Sequence, residues 1–145
     1  MKPCEFKLSV LKLNSLKELK LEEELHDSLS NLSLCEFPAL ETLRIIKCST
    51  LSDKKFPIIH FPTLKHLDLH SSSINSINNL GKSNIQSIES INLNGCPIEA
   101  LPVLKLKKLL KFSLEGENKK AYLEDVSALA FWDCPSLVEL NLSKQ

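Results

Sequence analysis

The sequence predicts an α/β solenoid, a stack of about six short parallel strands joined by return segments. Three observations predict it. First, an apolar triplet recurs, with two residues and then one residue between its members. It reads Leu16-Leu19-Leu21, Leu40-Leu43-Ile45, Leu64-Leu67-Leu69, Ile88-Ile91-Leu93, Leu109-Phe112-Leu114 and Leu137-Leu140-Leu142. Second, the starts lie 24, 24, 24, 21 and 28 residues apart, a period typical of stacked repeats. Third, leucine supplies 29 of the 145 residues and glycine only 3, so one residue type dominates a repeated core.

Within each triplet the last two apolar residues are two apart, so both point to one face of a strand. The first lies in the approach to that strand and turns inward as well. So short a strand cannot bury its apolar face alone; stacked copies cover one another and pair as a parallel sheet. Two further matches, Leu8-Leu11-Leu13 and Leu101-Leu104-Leu106, precede the first and fifth triplets by eight residues. They read as the turn that feeds a repeat. The return segments look mostly irregular, since SDKKFPIIHFPT holds two prolines and cannot form a regular helix. The longer return before the last triplet spaces Leu123, Val126, Leu129 and Ala130 helically, with Pro135 beyond. It predicts one short helix over Ala121–Phe131. With no Gly/Ser-rich or Pro-rich linker, the chain reads as a single domain, residues 1–145. Residues 1–15 form an N-terminal capping segment, and 16–145 form repeats starting near 16, 40, 64, 88, 109 and 137.

The segments LKELKL, LETLRI, LKHLDL, IESINL, LLKFSL and LVELNL resemble the LxxLxL core of leucine-rich-repeat proteins, and the resemblance covers about residues 8–145. The family pattern continues with Asn or Cys at the ninth position and an apolar residue soon after. Cys48 and Cys96 match it, followed by Leu51 and Ile98; Ser72 stands there in the third repeat, followed by Ile74. Glu24, Glu117 and Gln145 depart from it, so the first, fifth and last repeats should turn less regularly. The resemblance implies a curved, right-handed leucine-rich-repeat solenoid with its parallel sheet on the concave side. It also implies a non-catalytic module that binds a protein through that face. Segments such as CEFPALETLRIIKC are similar to repeats of plant intracellular immune receptors and of bacterial effectors delivered into host cells. A compact chain beginning with Met and lacking a catalytic domain fits the effector better, which implies action inside a host cell.

Composition excludes several other classes. Eighteen basic residues balance eighteen acidic ones, the pI is near 6.9, and only Arg44 is arginine. A nucleic-acid reader is expected to be basic and to lean on the bidentate fork of arginine. Glycine is too sparse for a phosphate-cradling loop. No apolar run reaches a membrane span, and charges interrupt the N-terminus, so it is a poor secretory signal. Cys4, Cys35, Cys48, Cys96 and Cys134 are odd in number and widely spaced, which fits a reducing, cytoplasmic setting. The sequons at Asn31 and Asn141 then go unused.

Chemistry finds no centre. His66, Asp68 and His70 share one strand face, but they stand about 6.6 Å apart in steps and cannot meet one zinc at about 2 Å. The family resemblance implies that Cys48 and Cys96 face inward, where they should act as small hydrophobes. Cys134 is the most exposed cysteine but has no histidine in its repeat. No cofactor or metal is implied, and the chain reads as a non-enzyme.

The candidate binding surface is therefore the outward face of the strands. The third strand offers His66, Asp68 and His70, the fourth Asn92 and Asn94, and the second Arg44 and Ile46. Arg44 should pair with Asp68 on the neighbouring strand. An exposed Ile46 beside His70 should form an apolar contact centre. Leu19, Leu43, Leu67, Ile91, Phe112 and Leu140 should all be buried. A second reading comes from the ending LNLSKQ, straight after the last triplet, which offers no evident cap. An open edge invites pairing with another chain. On that reading the chain is a self-assembling or structural fragment of a larger leucine-rich-repeat protein, or a homodimer through the uncapped edge.

Overall fold

The computed structural model describes residues 9–23, 29–116 and 123–143. It contains strands β1 (Glu18–Glu22), β2 (Thr42–Ile46), β3 (His66–Asp68), β4 (Ser90–Asn92), β5 (Lys111–Ser113) and β6 (Glu139–Asn141). They form one six-stranded sheet in chain order, and every neighbouring pair is parallel. The register aligns the triplets, so Leu19, Leu43, Leu67, Ile91, Phe112 and Leu140 make one row across the sheet.

Two local devices recur along the array. A turn precedes the strand, closed by the amide of the first triplet residue. Leu40 donates to the Phe37 carbonyl at 3.1 Å, Leu64 to Phe61 at 3.0 Å, Ile88 to Ile85 at 3.0 Å and Leu137 to Cys134 at 3.1 Å. Pro38, Pro62 and Pro135 take the second position of such turns, where their fixed φ fits. A left-handed residue follows the strand at 24-residue intervals: Glu23 (φ 62°), Lys47 (55°), Ser71 (57°) and Gly95 (73°). Only Gly95 adopts this conformation without a Cβ clash; the other three cost about 1–2 kcal/mol each. Their amides reach forward to the next repeat, Lys47 to the His70 carbonyl (3.0 Å) and Ser71 to Asn94 (2.7 Å).

The ninth-position residues form an interior ladder. The Cys48 thiol donates to the Leu21 carbonyl at 3.8 Å, the Ser72 hydroxyl to Ile45 at 2.7 Å and the Cys96 thiol to Leu69 at 2.8 Å. Each acceptor is the third triplet residue of the preceding repeat. All three donors are buried, and burial makes these bonds obligatory for the carbonyls they satisfy. Glu24, Glu117 and Gln145 lie outside the described residues.

Leu43, Leu67, Ile91 and Phe112 are buried as expected. The two ends differ. Leu19 on β1 is half-buried, and Leu140 on β6 is 45% exposed, because a triplet is fully covered only when a repeat stands on each side. The expectation that Leu140 is buried is corrected accordingly.

Among the described residues the return segments hold three short 3₁₀ helices, Leu29–Leu34, Asn78–Lys82 and Ser127–Phe131. The expected helix over Ala121–Phe131 shrinks to the last of these; Ala121 and Tyr122 lie outside the described residues. Leu123–Val126 is not helical. Asp125 forms a parallel bridge to Ala100, and the Glu124 amide donates to the Glu99 carbonyl at 2.8 Å. The Asp125 carboxylate then accepts the Ser127 amide at 2.8 Å, a local turn ahead of the helix, whose N-cap is Val126. Pairing with the preceding repeat therefore prevails over helical spacing.

Each triplet is also preceded by an extended run with its own pairing. Parallel bridges join Lys12 to Glu36 and His60 to Asn84, and the Asp133 amide donates to the Leu104 carbonyl at 2.9 Å. Inward residues alternate with outward ones. Cys35, Phe37, Ile59, Phe61, Leu104 and Leu106 are buried, whereas Leu34, Glu36, Ile58, His60, Val103 and Lys105 are exposed. The Leu101-Leu104-Leu106 match belongs to this second ladder, and Leu32-Cys35-Phe37 and Phe56-Ile59-Phe61 are its counterparts. Phe37 and Phe61 stack across repeats at 5.5 Å between ring centroids.

Two outcomes test this packing. Leu67→Ala should cost about 2–5 kcal/mol of unfolding free energy, and the exposed Leu140→Ala under about 1 kcal/mol; urea titration compares them. A Cβ added at Gly81 would stand 2.8 Å from the Val103 carbonyl oxygen. That oxygen belongs to backbone, so Gly81→Ala should destabilise by about 1–3 kcal/mol in the same titration.

Candidate functional site

The outward side chains of the strands form three columns across the sheet. Thr42, His66 and Ser90 share the first, Arg44, Asp68 and Asn92 the second, and Ile46, His70 and Asn94 continue the third. The columns exist because strand side chains alternate and because the repeats are in register. Six equivalent residues are thereby held about 4.8 Å apart on a hydrogen-bonded support.

The structure places the expected residues on this face but pairs them differently. Arg44 is aligned with Asp68, yet its Nε lies 3.3 Å from the Glu18 carboxylate on β1. Asp68 is engaged locally: its Oδ1 accepts the His70 amide at 3.2 Å and lies 2.8 Å from His70 Nδ1. This short turn closes at the end of β3, so the carboxylate is committed before it can reach across the sheet. Asn92 and Asn141 make the same turn, accepting the amides of Asn94 (3.0 Å) and Ser143 (2.9 Å).

Ile46 is not an exposed contact centre. It is only 7% exposed, although it lies apart from the core cluster on the solvent side of β2. Glu22 is its strand partner, and the half-buried His70 follows the next strand at the same height. Apolar and imidazole surfaces are covered together there, which removes Ile46 from contact with a partner.

The remaining positions are polar and mutually engaged. His66 Nδ1 lies 2.8 Å from the Ser90 hydroxyl. Asn94 Oδ1 accepts the Ser113 hydroxyl at 2.6 Å and the Glu115 amide at 2.9 Å. Lys20 sits 2.7 Å from Glu22 and Lys111 3.2 Å from Glu139. The Lys20 hydrogen bond holds the Glu22 carboxyl below its ordinary range, with Lys47 and His70 adding. Its anionic form is thus favoured. The charges of Glu18, Lys20, Arg44, Lys111 and Glu139 are all about half exposed or more.

Sequence reasoning missed the second outward face, formed by the extended runs. Its signal is present, since an apolar-xx-apolar-x-apolar spacing recurs eight residues before five of the six triplets, and Leu80-Ser83-Ile85 keeps the spacing before the other. Phenylalanine, cysteine and serine replace leucine in it, which hides it from a leucine search. Between the second and third repeats this face carries a cleft of about 430 Å³ flanked by Leu34, Glu36, Pro38, His60 and Pro62.

Among the described residues no group of three or more His, Cys, Asp or Glu side chains could hold a metal ion. No helix among them is long and apolar enough to cross a membrane. Cys134 is half-buried, its thiol 3.7 Å from the Leu104 carbonyl. Burial pushes that thiol up, against the Leu106 backbone hydrogen bond, and the Asp133 carboxylate adds to the rise. Compared with protein-family models, with curated proteins and with solved structures, the chain has no match in any of the three.

A raised thiol pKa means less thiolate at neutral pH. Cys134 should therefore be alkylated by iodoacetamide at pH 7.5 more slowly than free cysteine, and peptide mapping of a time course measures it. Alkylation at or above the free-cysteine rate would contradict the buried, anion-flanked setting.

Proposed function

We propose that this chain is a leucine-rich-repeat solenoid, curved and right-handed, that binds a protein partner through the outward face of its six-stranded sheet without catalysing a reaction. The observation that carries the reading is the set of in-register columns. They present Arg44, His66 and Lys111 to solvent on a backbone already fixed by parallel pairing. A preorganised face loses little conformational entropy on binding. Its charged residues are of both signs, which gives selectivity for a partner with the complementary arrangement rather than a general affinity for polyanions. The ninth-position ladder and the 24-residue step support the family reading, because both follow from one repeated unit. By the family resemblance, action inside a host cell as a delivered effector is the setting we favour for such a module.

A second reading has its own observation. β6 is an edge strand whose neighbourhood exposes Val138 (79%) and Leu140 (45%). An open parallel edge with apolar residues is a template for a further strand. On that reading the sheet is one part of a longer array, or pairs through β6 with another chain.

Affinity capture from a eukaryotic lysate separates the two. Arg44→Glu with His66→Glu changes only the strand face, and Val138→Lys changes only the β6 edge. A specific protein retained by the wild type and by Val138→Lys, but lost by the strand-face variant, is the expected result. Loss with Val138→Lys and retention with Arg44→Glu/His66→Glu would transfer binding to the edge and overturn the strand-face reading.

A further inference from the structure

The exposed apolar side chains of this protein are not scattered. Six residues before each triplet stand Val10, Leu34, Ile58, Lys82, Val103 and Phe131. All six are exposed, and the five apolar ones are between 40% and 69% accessible. They form one column along the second ladder, interrupted only by Lys82. Two residues further on, a polar column runs beside it: Lys12, Glu36, His60, Asn84, Lys105 and Asp133. An apolar stripe of this length, rimmed by charge, marks an interaction surface rather than ordinary surface.

The order of charges identifies the partner. Reversed, the polar column reads Asp133, Lys105, Asn84, His60, Glu36, Lys12. Laid against the forward column, it sets Lys12 against Asp133, Glu36 against Lys105, and His60 against Asn84. Every charged position meets its opposite, and the central pair can share a hydrogen bond. The apolar column reverses compatibly, with Val10 against Phe131, Leu34 against Val103, and Ile58 against the aliphatic stem of Lys82. A two-fold axis lying in the interface, along the strand direction and between the third and fourth repeats, produces this alignment. It reverses the order of repeats and keeps each column facing itself. Self-complementarity under a two-fold axis is the requirement for an isologous dimer.

We propose that this face binds a second copy of the same chain, antiparallel, through the Val10–Phe131 column and the Lys12–Asp133 column. The clefts fit the arrangement. One lies between the second and third repeats, walled by Leu34 and Glu36. The other lies between the fourth and fifth, walled by Val103 and Lys105. The axis sets the first against the second copy's second, so Leu34 and Glu36 meet the second copy's Val103 and Lys105. Within one chain Lys12 already pairs with Glu36 at 2.8 Å, and Asp133 pairs with Lys107. Association therefore joins existing pairs of the polar column into alternating groups, while Lys82 brings the one charge of the apolar column. The face spans six repeats in one direction and about four residues in the other, a footprint of about 400 Å² per copy. That is the size of a weak, reversible contact. The strand faces remain free, so the dimer carries two copies of the surface proposed above; the two readings are independent.

Sedimentation equilibrium of the whole chain tests the pairing. Wild type should be a weak, reversible dimer. Lys105→Glu should weaken it about tenfold or more, because each change acts at two symmetry-related contacts. Glu36→Lys combined with Lys105→Glu should restore it. These residues stand three repeats apart in one chain, about 14 Å, so restoration cannot come from contact within a copy. Lys82→Leu should tighten the dimer by completing the apolar column. A monomer at millimolar concentration overturns the proposal. So does a dimer indifferent to Lys105→Glu, or one abolished by Val138→Lys, which would place the contact at β6. Circular dichroism of each variant establishes that it is folded.

Discussion

Three residues of β-strand bury almost nothing by themselves, and everything else in this structure follows from that shortage. Leu67 is covered because Leu43 stands on one side of it and Ile91 on the other. Covering is thus a property of neighbours and not of a repeat. The result is a core in which burial is complete in the middle and fails at the margins. Leu140 shows the failure most plainly, since it has Phe112 on one side and no strand on the other. Folding of such a chain should depend on contacts between adjacent repeats more than on any long-range closure.

Mutual covering also explains the equal spacing. When three steps are all 24 residues, each backbone group meets the same group one repeat on, and a single solution to a hydrogen-bonding problem serves every repeat. The carbonyls of Leu21, Ile45 and Leu69 all belong to the third residue of a triplet, and all accept from the ninth-position side chain of the next repeat. Serine at position 72 does this as well as cysteine because the task is to donate one hydrogen bond inside a dry core. The same repetition keeps Glu23, Lys47 and Ser71 left-handed despite their side chains. The strain persists because the amides there are tied to the next repeat on one side while the strand fixes them on the other.

The strands, their order and their register were legible in the sequence, since all three follow from the position of apolar residues. Cys48 and Cys96 were legible as inward residues through the family pattern, whereas Ser72 was legible only as standing at the same position. What sequence could not resolve was competition between partners. Arg44 and Asp68 are aligned, as spacing required, but Asp68 finds the His70 amide two residues away, and a local partner has the shorter search. Ile46 alternates outward as expected, yet burial depends on what stands beside it, and pattern alone does not report the height of a neighbouring imidazole. The helical spacing of Leu123, Val126 and Leu129 was real, and the bridge from Asp125 to Ala100 prevailed over it. The second ladder escaped because its inward residues vary in type while their spacing does not.

The two outward faces divide the requirements of recognition between them. On the strand face most polar groups are already bonded to one another, through Asp68 to His70, His66 to Ser90, and Asn94 to Ser113. A partner there must exchange hydrogen bonds rather than add them, which yields discrimination at modest net affinity. The ladder face is the reverse case. Its outer column is apolar and already exposed, so any body that covers it gains from removing that surface from water. Its charges lie beside the stripe, where they choose the direction of approach. Repetition generates both faces from one rule, because alternation along each extended run sends one residue to the core and the next to solvent. The difference between them rests on a single chemical choice: polar groups at the outward strand positions, Ile46 excepted, and apolar ones at the head of the ladder runs, Lys82 excepted.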